Sequence, residues 1–502
     1  MKNFFKQKRA NIFLWTIVAG GAFLRLWQIG FSSYWLDESF TLMQAEGIAN
    51  HGYPLLRSGL VEWKDLLMPY ILALPVKLFG LRVEWLLRLP GAIFGIMSII
   101  VAYFFARRLF TVQVGLIFSL FMSIGYWYIA WSRQVRGYSA LIFFVLLFFY
   151  FLVRAEEHYR LKYIFYAFLS VGGAILAKKF GIFLWPAFLS YLFFRQRYKE
   201  LVIFTLPVVV IAGVIMFSVA DIVALNKHSY FSFYWQYYLW DYFGFFLVLG
   251  IWGFFTALRI EKKFQAVHLS IFILILTSLL ALSFFLEITE RRYLLMVTPF
   301  LFLYSAFLID YLARKKIVIS RVTKGKKIGE KRYLQKMMAF LLGSIFLGVY
   351  FQQGLSVLPR KYYPLEYYTP QPDYRSAYRA ILQRGFGEED IIVSPTPSLD
   401  IIYLGRADYV IPWSLTGQES RSNIYKEREF YSGARKLYGL GKKDAFDKIT
   451  SLRKRGNVYV VLDALSSRRI KSDLWKKIVR QGEKIFLKNE PDRLTVYLFS
   501  KQ

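Results

Sequence analysis

Runs of about 20 apolar residues recur along the first two-thirds of this chain, and few environments other than a bilayer accept so many. They fall near 11–30, 89–106, 113–131, 138–153, 161–177, 180–194, 200–219, 241–258, 266–286, 293–312 and 337–353. These predict about 11 transmembrane helices. The apolar segment 66–80 is shorter and is broken by Pro69, Pro75 and Lys77, so it reads as an interfacial or re-entrant helix. Composition agrees. Hydrophobic residues make up 56% of the 502 residues and aromatic residues 20%, which excludes disorder. The absence of cysteine excludes a disulfide scaffold, a thiolate metal site and a cysteine nucleophile.

The net charge of +32 sorts by side. With the N-terminus inside, the turns at 1–10, 107–112, 154–162, 195–200, 259–265 and 313–336 would be cytoplasmic. They carry 25 Lys and Arg against five acids, as the positive-inside rule requires. The basic run 313–336 is therefore read as an inner loop beside anionic lipid, not as a nucleic-acid site. The N-terminal basic-then-apolar pattern lacks a small-residue cleavage site and reads as an uncleaved signal anchor. Together these features predict a multi-pass plasma (inner) membrane protein.

From about Leu355 the apolar runs stop. An odd number of spans would place this tail outside, as an extracytoplasmic α/β domain over 355–502 that follows a membrane domain over 1–354. Strands are expected at 390–394, 457–463, 484–488 and 494–499, with helices at 373–384 and 470–481. Asn489 to Asp492 is expected to turn the last two strands into a hairpin. The tail is net basic, which fits anionic headgroups or glycans and suggests that it orients an acceptor. No nucleotide-binding glycine motif occurs in it.

Charges at the outer ends of the spans carry the chemistry. Asp37 and Glu38 follow Tyr34 and Trp35 in the first outer loop, about 31–88; they form either a base pair of carboxylates or a helix cap. Arg133 and Arg136, just before Tyr138, suit phosphate capture or are snorkelling arginines. Lys178-Lys179, and Glu287 with Glu290-Arg291-Arg292-Tyr293, carry the same two readings. Arg25, near the outer end of the first span, is expected to snorkel. Midplane charge is nearly absent, which disfavours a lipid or oligosaccharide transporter with an outer domain.

In order and spacing these motifs resemble the GT-C membrane glycosyltransferases of the dolichyl-phosphate-mannose protein mannosyltransferase type, which include the bacterial aminoarabinose (lipid A) transferase. LRLWQIG followed by WLDES matches the family's acidic motif. The stretch from Pro54 to Ile96 resembles its interfacial helices, FG turn and RLP motif, WSRQVRGYSA its arginine-rich turn, and ERRYLLMVTPFLFL its late RY-plus-proline span. The resemblance implies inverting sugar transfer from a polyprenyl-phosphate sugar to an acceptor hydroxyl of a protein, lipid or glycan. It makes Asp37 the catalytic base and Glu38 the supporting carboxylate. Arg133, Arg136, Lys178 and Arg292 would hold the lipid phosphate, with Tyr138 and Tyr293 as hydrogen-bond donors. Glu62, Lys64 and Asp65 stand nearest the Glu-Lys-Pro segment of the lipid A transferases, but no proline follows at once. No cofactor or metal is expected, although Asp37, Glu38 and a phosphate would be the place for a divalent ion. A lipid-linked glycan polymerase or ligase is the alternative, and it leaves the WLDES motif without a clear role.

Overall fold

The computed structural model describes residues 2–158, 160–205, 233–284, 290–324, 330–352, 354–361, 363, 372–410, 435–436, 444–463, 472–488 and 494–502. Two compact units emerge. The first comprises Met1–Trp27, Gly91–Arg133 and Gly137–Arg360; the second comprises Gln28–Pro90, Gln134–Arg136 and Lys361–Gln502.

The first unit is helical. Helix α1 is Lys2–Leu26; the second unit supplies α2 (Leu36–His51), α3 (Leu67–Phe79) and the first turns of α4 (Glu84–Leu109). Then come α5 (Val112–Ile124), α6 (Tyr126–Ser132), α7 (Tyr138–His158), α8 (Leu161–Ala177) and α9 (Leu184–Phe194), with further helices at Asp241–Ile260, Gln265–Phe284, Thr298–Lys324 and Glu330–Gln352. Among the described residues four helical stretches are long and apolar enough to cross a membrane: Glu84–Leu109, Tyr138–His158, Asp241–Ile260 and Lys262–Phe284. Five shorter apolar helices accompany them, including Leu67–Phe79. The span expected at 200–219 falls largely outside the described residues. Ile12, Trp15, Phe165, Leu169, Trp252 and Phe255 stay exposed, as they would facing lipid. Inside the bundle, helix Asp241–Ile260 approaches helix Thr298–Lys324 through small residues. A Cβ at Gly253 would stand 2.1 Å from the Tyr304 carbonyl oxygen, a separation only glycine permits.

The span expected over 113–131 divides. Gly125 takes an extended conformation (φ −62°, ψ 118°) and bridges to Leu355. The Tyr126 amide donates to the Gly354 carbonyl at 2.9 Å and the Ser356 amide to Ile124 at 2.7 Å. The break frees carbonyls at the end of α5, and Arg25 turns inward to meet them. Its Nη1 donates to Ser123 (2.9 Å) and its Nη2 to Met122 (2.9 Å), leaving it buried instead of snorkelling.

In the second unit a six-stranded mixed sheet runs in the order β3-β2-β1-β4-β6-β5. The strands are β1 Ile391–Ser394, β2 Tyr409–Val410, β3 Arg435–Lys436, β4 Val458–Asp463, β5 Glu483–Lys488 and β6 Leu494–Phe499. β1 pairs parallel with β2 and β4, while β6 pairs antiparallel with β4 and β5. All four expected strands lie within two residues of their predicted bounds. The expected helices fall at Tyr374–Gln383 and Ser472–Gln481. The turn expected at 489–492 lies outside the described residues. Ile391, Val393, Ile449, Val460, Ile478, Tyr497 and Phe499 belong to the core of this sheet layer.

Candidate active site

Helix α2 begins within the acidic motif. Trp35 precedes its first turn in an extended conformation, and the Glu38 carboxylate accepts from the Trp35 amide (3.3 Å). The helix starts at Leu36, so Asp37 lies within its first turn and is not the cap; Glu38 takes the Trp35 N–H instead.

The two carboxylates have opposite environments. Glu38 is completely buried and accepts a two-pronged guanidinium: Arg88 Nε to Oε1 and Arg88 Nη2 to Oε2, both at 2.8 Å. The Val135 amide adds a bond to Oε1 at 2.9 Å. Arg88, also fully buried, spends its remaining N–H groups on the carbonyls of Ile29 (3.0 Å), Ser32 (2.8 Å) and Ser33 (3.1 Å). A buried ion pair is tolerated only with such complete satisfaction of both partners. Asp37 keeps 18% of its side chain accessible and faces Arg136, whose Nη2 stands 3.7 Å from Oδ2. Arg136 Nη1 also donates to the Asp37 carbonyl (2.8 Å) and to Thr41 Oγ1 (3.1 Å). Trp35 Nε1 donates to Gln134 (2.8 Å), so the 134–136 segment is fastened across the motif at three points. With both oxygens of Glu38 engaged, a divalent ion at the motif would draw on Asp37 alone from this pair.

Tyr34 and Tyr403 lie behind the motif. The Tyr403 hydroxyl accepts from the Tyr34 amide (3.1 Å) and donates to Glu84 Oε1 (3.0 Å). Burial pushes both phenols well above their usual range, so they act as neutral hydroxyls.

The predicted Glu62 and Lys64 meet α2 near its middle, with Asp65 next in the chain. Gln44 Nε2 donates to the carbonyls of Glu62 (3.2 Å) and Lys64 (2.9 Å), and Lys64 Nζ stands 3.6 Å from Glu62. Asp65 adopts a left-handed backbone (φ 55°). Gln44 is two turns from Asp37, about 10 Å along the helix.

In the first unit four of the predicted residues form one aromatic–cation cluster. Tyr138 packs on Trp131 with ring centroids 4.5 Å apart, and Lys178 Nζ lies 4.8 Å from the Tyr138 centroid. The Arg292 guanidinium sits 5.7 Å from the Trp131 ring and 5.9 Å from Tyr293. Gly137 makes the approach possible, because a Cβ there would stand 2.0 Å from the Ala177 carbonyl oxygen. Arg292 also pairs with Glu290 at 3.6 Å. Glu287 lies outside the described residues. Arg133 goes elsewhere: its Nη1 donates to the carbonyls of Leu24 (3.2 Å), Arg25 (3.1 Å) and Trp27 (2.6 Å), closing the end of α1.

Residues 64–222 match the family model described as dolichyl-phosphate-mannose-protein mannosyltransferase. The fold is that of known GT-C enzymes. ArnT from Cupriavidus metallidurans in the apo state superposes with a TM-score of 0.61 at 14% identity, covering 98% of each chain. The same protein bound to undecaprenyl phosphate gives 0.59 at 15% identity, covering 96% of this chain and 97% of that one. The oligosaccharyltransferase AglB from Archaeoglobus fulgidus, in complex with an inhibitory peptide and a dolichol-phosphate, gives 0.59 at 12% identity, covering 98% and 74%. No curated protein sequence matches the chain. The fold is therefore of the GT-C type. Residues 64–222 are similar in sequence to the mannosyltransferase family named above.

Sequence reasoning missed Arg88, Glu84, Arg375 and Tyr403 as partners of the site. The RLP motif holds Arg88 in plain view, but nothing local ties it to Glu38, 50 residues earlier.

Proposed function

We propose that the chain transfers a sugar from a polyprenyl-phosphate donor to an acceptor hydroxyl on the extracytoplasmic side, with inversion, and that Asp37 is the base. The observation that carries this reading is the contrast between the motif's carboxylates: Glu38 has both oxygens engaged by Arg88 and two amides, while Asp37 retains access to solvent. Asp37 takes the proton of the acceptor hydroxyl. The hydroxyl oxygen then bonds to the anomeric carbon as the bond to the phosphate oxygen breaks on the opposite face. The lipid phosphate departs with that electron pair, and cations stabilise the charge it gains.

Arg136, Lys178 and Arg292 fill that cationic role, with Tyr138 and Tyr293 as donors. Arg133, committed at Nη1 to three carbonyls, serves chiefly to shape the turn. Glu62, Lys64 and Asp65 support the acceptor or the donor phosphate. Undecaprenyl phosphate bound to ArnT and dolichol-phosphate bound to AglB support a polyprenyl monophosphate as the leaving group. The reading places a membrane domain over 1–354, with its N-terminus in the cytoplasm, before an outer domain over 355–502.

Purified Asp37→Asn protein supplied with a labelled polyprenyl-phosphate sugar provides the test. Folded, membrane-inserted variant without sugar transfer is the expected result. Normal turnover would remove Asp37 as base, and turnover only with a diphosphate donor would favour the polymerase or ligase alternative.

A further inference from the structure

The backbone that leads into the acidic motif is held by residues from the opposite end of the sequence, all within the second unit. Tyr403 lies on the helix Pro397–Leu404. Its hydroxyl takes the Tyr34 amide, three residues before Asp37, and gives its own proton to Glu84. Glu84 Oε2 accepts from Arg375 Nη1 at 3.1 Å. Arg375 in turn donates to the carbonyls of Gly30 (3.2 Å) and Phe31. Ser33 Oγ donates to the Pro372 carbonyl (3.0 Å) and accepts from the Tyr374 amide (3.2 Å). On the far side of Asp37, Ser39 Oγ lies 2.6 Å from Ser398 Oγ. Ser39 also donates to the Leu36 carbonyl at 2.6 Å, so its single proton is used and Ser398 is the donor between them.

The same stretch is held from α4 by Arg88, through the carbonyls of Ile29, Ser32 and Ser33 and through Glu38. Residues 29–39 are thus fixed along both edges, through their main chain and through the side chains of Ser33, Glu38 and Ser39. Such bonds set where Asp37 stands without touching its carboxylate. Tyr403 is the central one: 5% exposed, it bridges a buried backbone amide and the carboxylate of Glu84, and its ring stacks on Tyr378 with centroids 5.4 Å apart at 15°. A phenylalanine there keeps the packing, but it strips a buried N–H and a buried carboxylate oxygen of their shared partner.

We propose that Tyr403, seconded by Ser398, is a positioning residue for sugar transfer: the C-terminal module fixes the acidic motif at the distance and angle the reacting hydroxyl needs. The proposal rests on the reading of Asp37 as base. It assigns the module a part in the chemical step itself, separate from any hold on the acceptor. Displacement of a catalytic group by a fraction of an ångström lowers turnover while leaving ground-state binding nearly intact.

The test compares Tyr403→Phe, Ser398→Ala, Asp37→Asn and Val460→Ala in the full-length protein, reconstituted in nanodiscs. Val460 is buried in the sheet core away from the motif, and its truncation controls for loss of stability alone. Expected for Tyr403→Phe is a fall in kcat of about 30-fold per folded molecule, with KM for donor and acceptor within threefold. Ser398→Ala should lower kcat about fivefold in the same pattern, and it decides the matter if Tyr403→Phe does not accumulate. Val460→Ala should lower Tm with kcat per folded molecule unchanged. Unchanged kcat in the Tyr403 and Ser398 variants, a change confined to KM, or an equal loss in Val460→Ala would overturn the proposal. If Asp37→Asn is inactive while those two variants are normal, the positioning idea fails and the base reading stands. An active Asp37→Asn removes both.

Discussion

The acidic motif and the aromatic–cation cluster solve the problem of buried charge in different ways. Glu38 and Arg88 meet at hydrogen-bond distance, and the remaining donors of Arg88 are spent on carbonyls. Around Trp131 and Tyr138 the cations Lys178 and Arg292 lie against ring faces, and Arg292 also stands 3.6 Å from Glu290. The first arrangement is finished: it has no need of a ligand and gives rigidity. The second gathers cations in partly desolvated surroundings, a setting in which a phosphate would bind well. On the proposed reading, one region sets geometry and the other sets affinity for an anion.

The largest effect that this contrast predicts is at Asp37. Asp37→Asn should reduce sugar transfer at least about a thousandfold with little loss of Tm, measured by donor turnover and thermal unfolding in detergent. Next is Arg88→Met, which strands a fully buried carboxylate. It should cost about 3–5 kcal/mol, read as failure to accumulate or a large fall in Tm, whereas Arg136→Met at the half-open partner should lower Tm far less. Third, Lys178→Met and Arg292→Gln should each raise donor KM or Kd about tenfold with nearly unchanged stability. Equal loss of Tm in these and in Arg88→Met would erase the distinction between the two regions.

The smallest expected effect is a pH dependence. Asp400 is buried and bonded to the Tyr378 hydroxyl, and burial raises its carboxyl to about 8. The folded protein then keeps a proton that the unfolded chain releases near its ordinary value. Stability from this group is full at low pH and falls as pH rises from about 4 to about 8. Asp400→Asn should flatten that slope, giving a Tm gain at pH 8 that vanishes near pH 4.

Much of the architecture was legible because its signals are local. The strand at 494–499 reads from its β-branched and aromatic run, and α8 from one uninterrupted apolar stretch. Asp37 stood out as a carboxylate beside aromatics in an outer loop. The break at Gly125 was hidden because the flanking residues are apolar on both sides; only the pairing with 354–356, more than 200 residues away, reveals it. Glu38 reads from sequence as the carboxylate that supports Asp37, but its partner Arg88 is found only in the fold. Pairings between 29–39, 84–88 and 372–403 depend on tertiary contacts that hydrophobic periodicity does not encode.

The inward turn of Arg25 has a consequence for biogenesis. Two of its bonds are made to Met122 and Ser123, at the end of a helix synthesised almost 100 residues later. While α1 is alone in the bilayer, that guanidinium must reach for headgroups and water. When α5 arrives, ending where Gly125 breaks it, the charge adds the Met122 and Ser123 carbonyls to the Gly21 carbonyl of its own helix. The final depth and tilt of the first helix therefore wait on the completion of a segment four helices further along the chain.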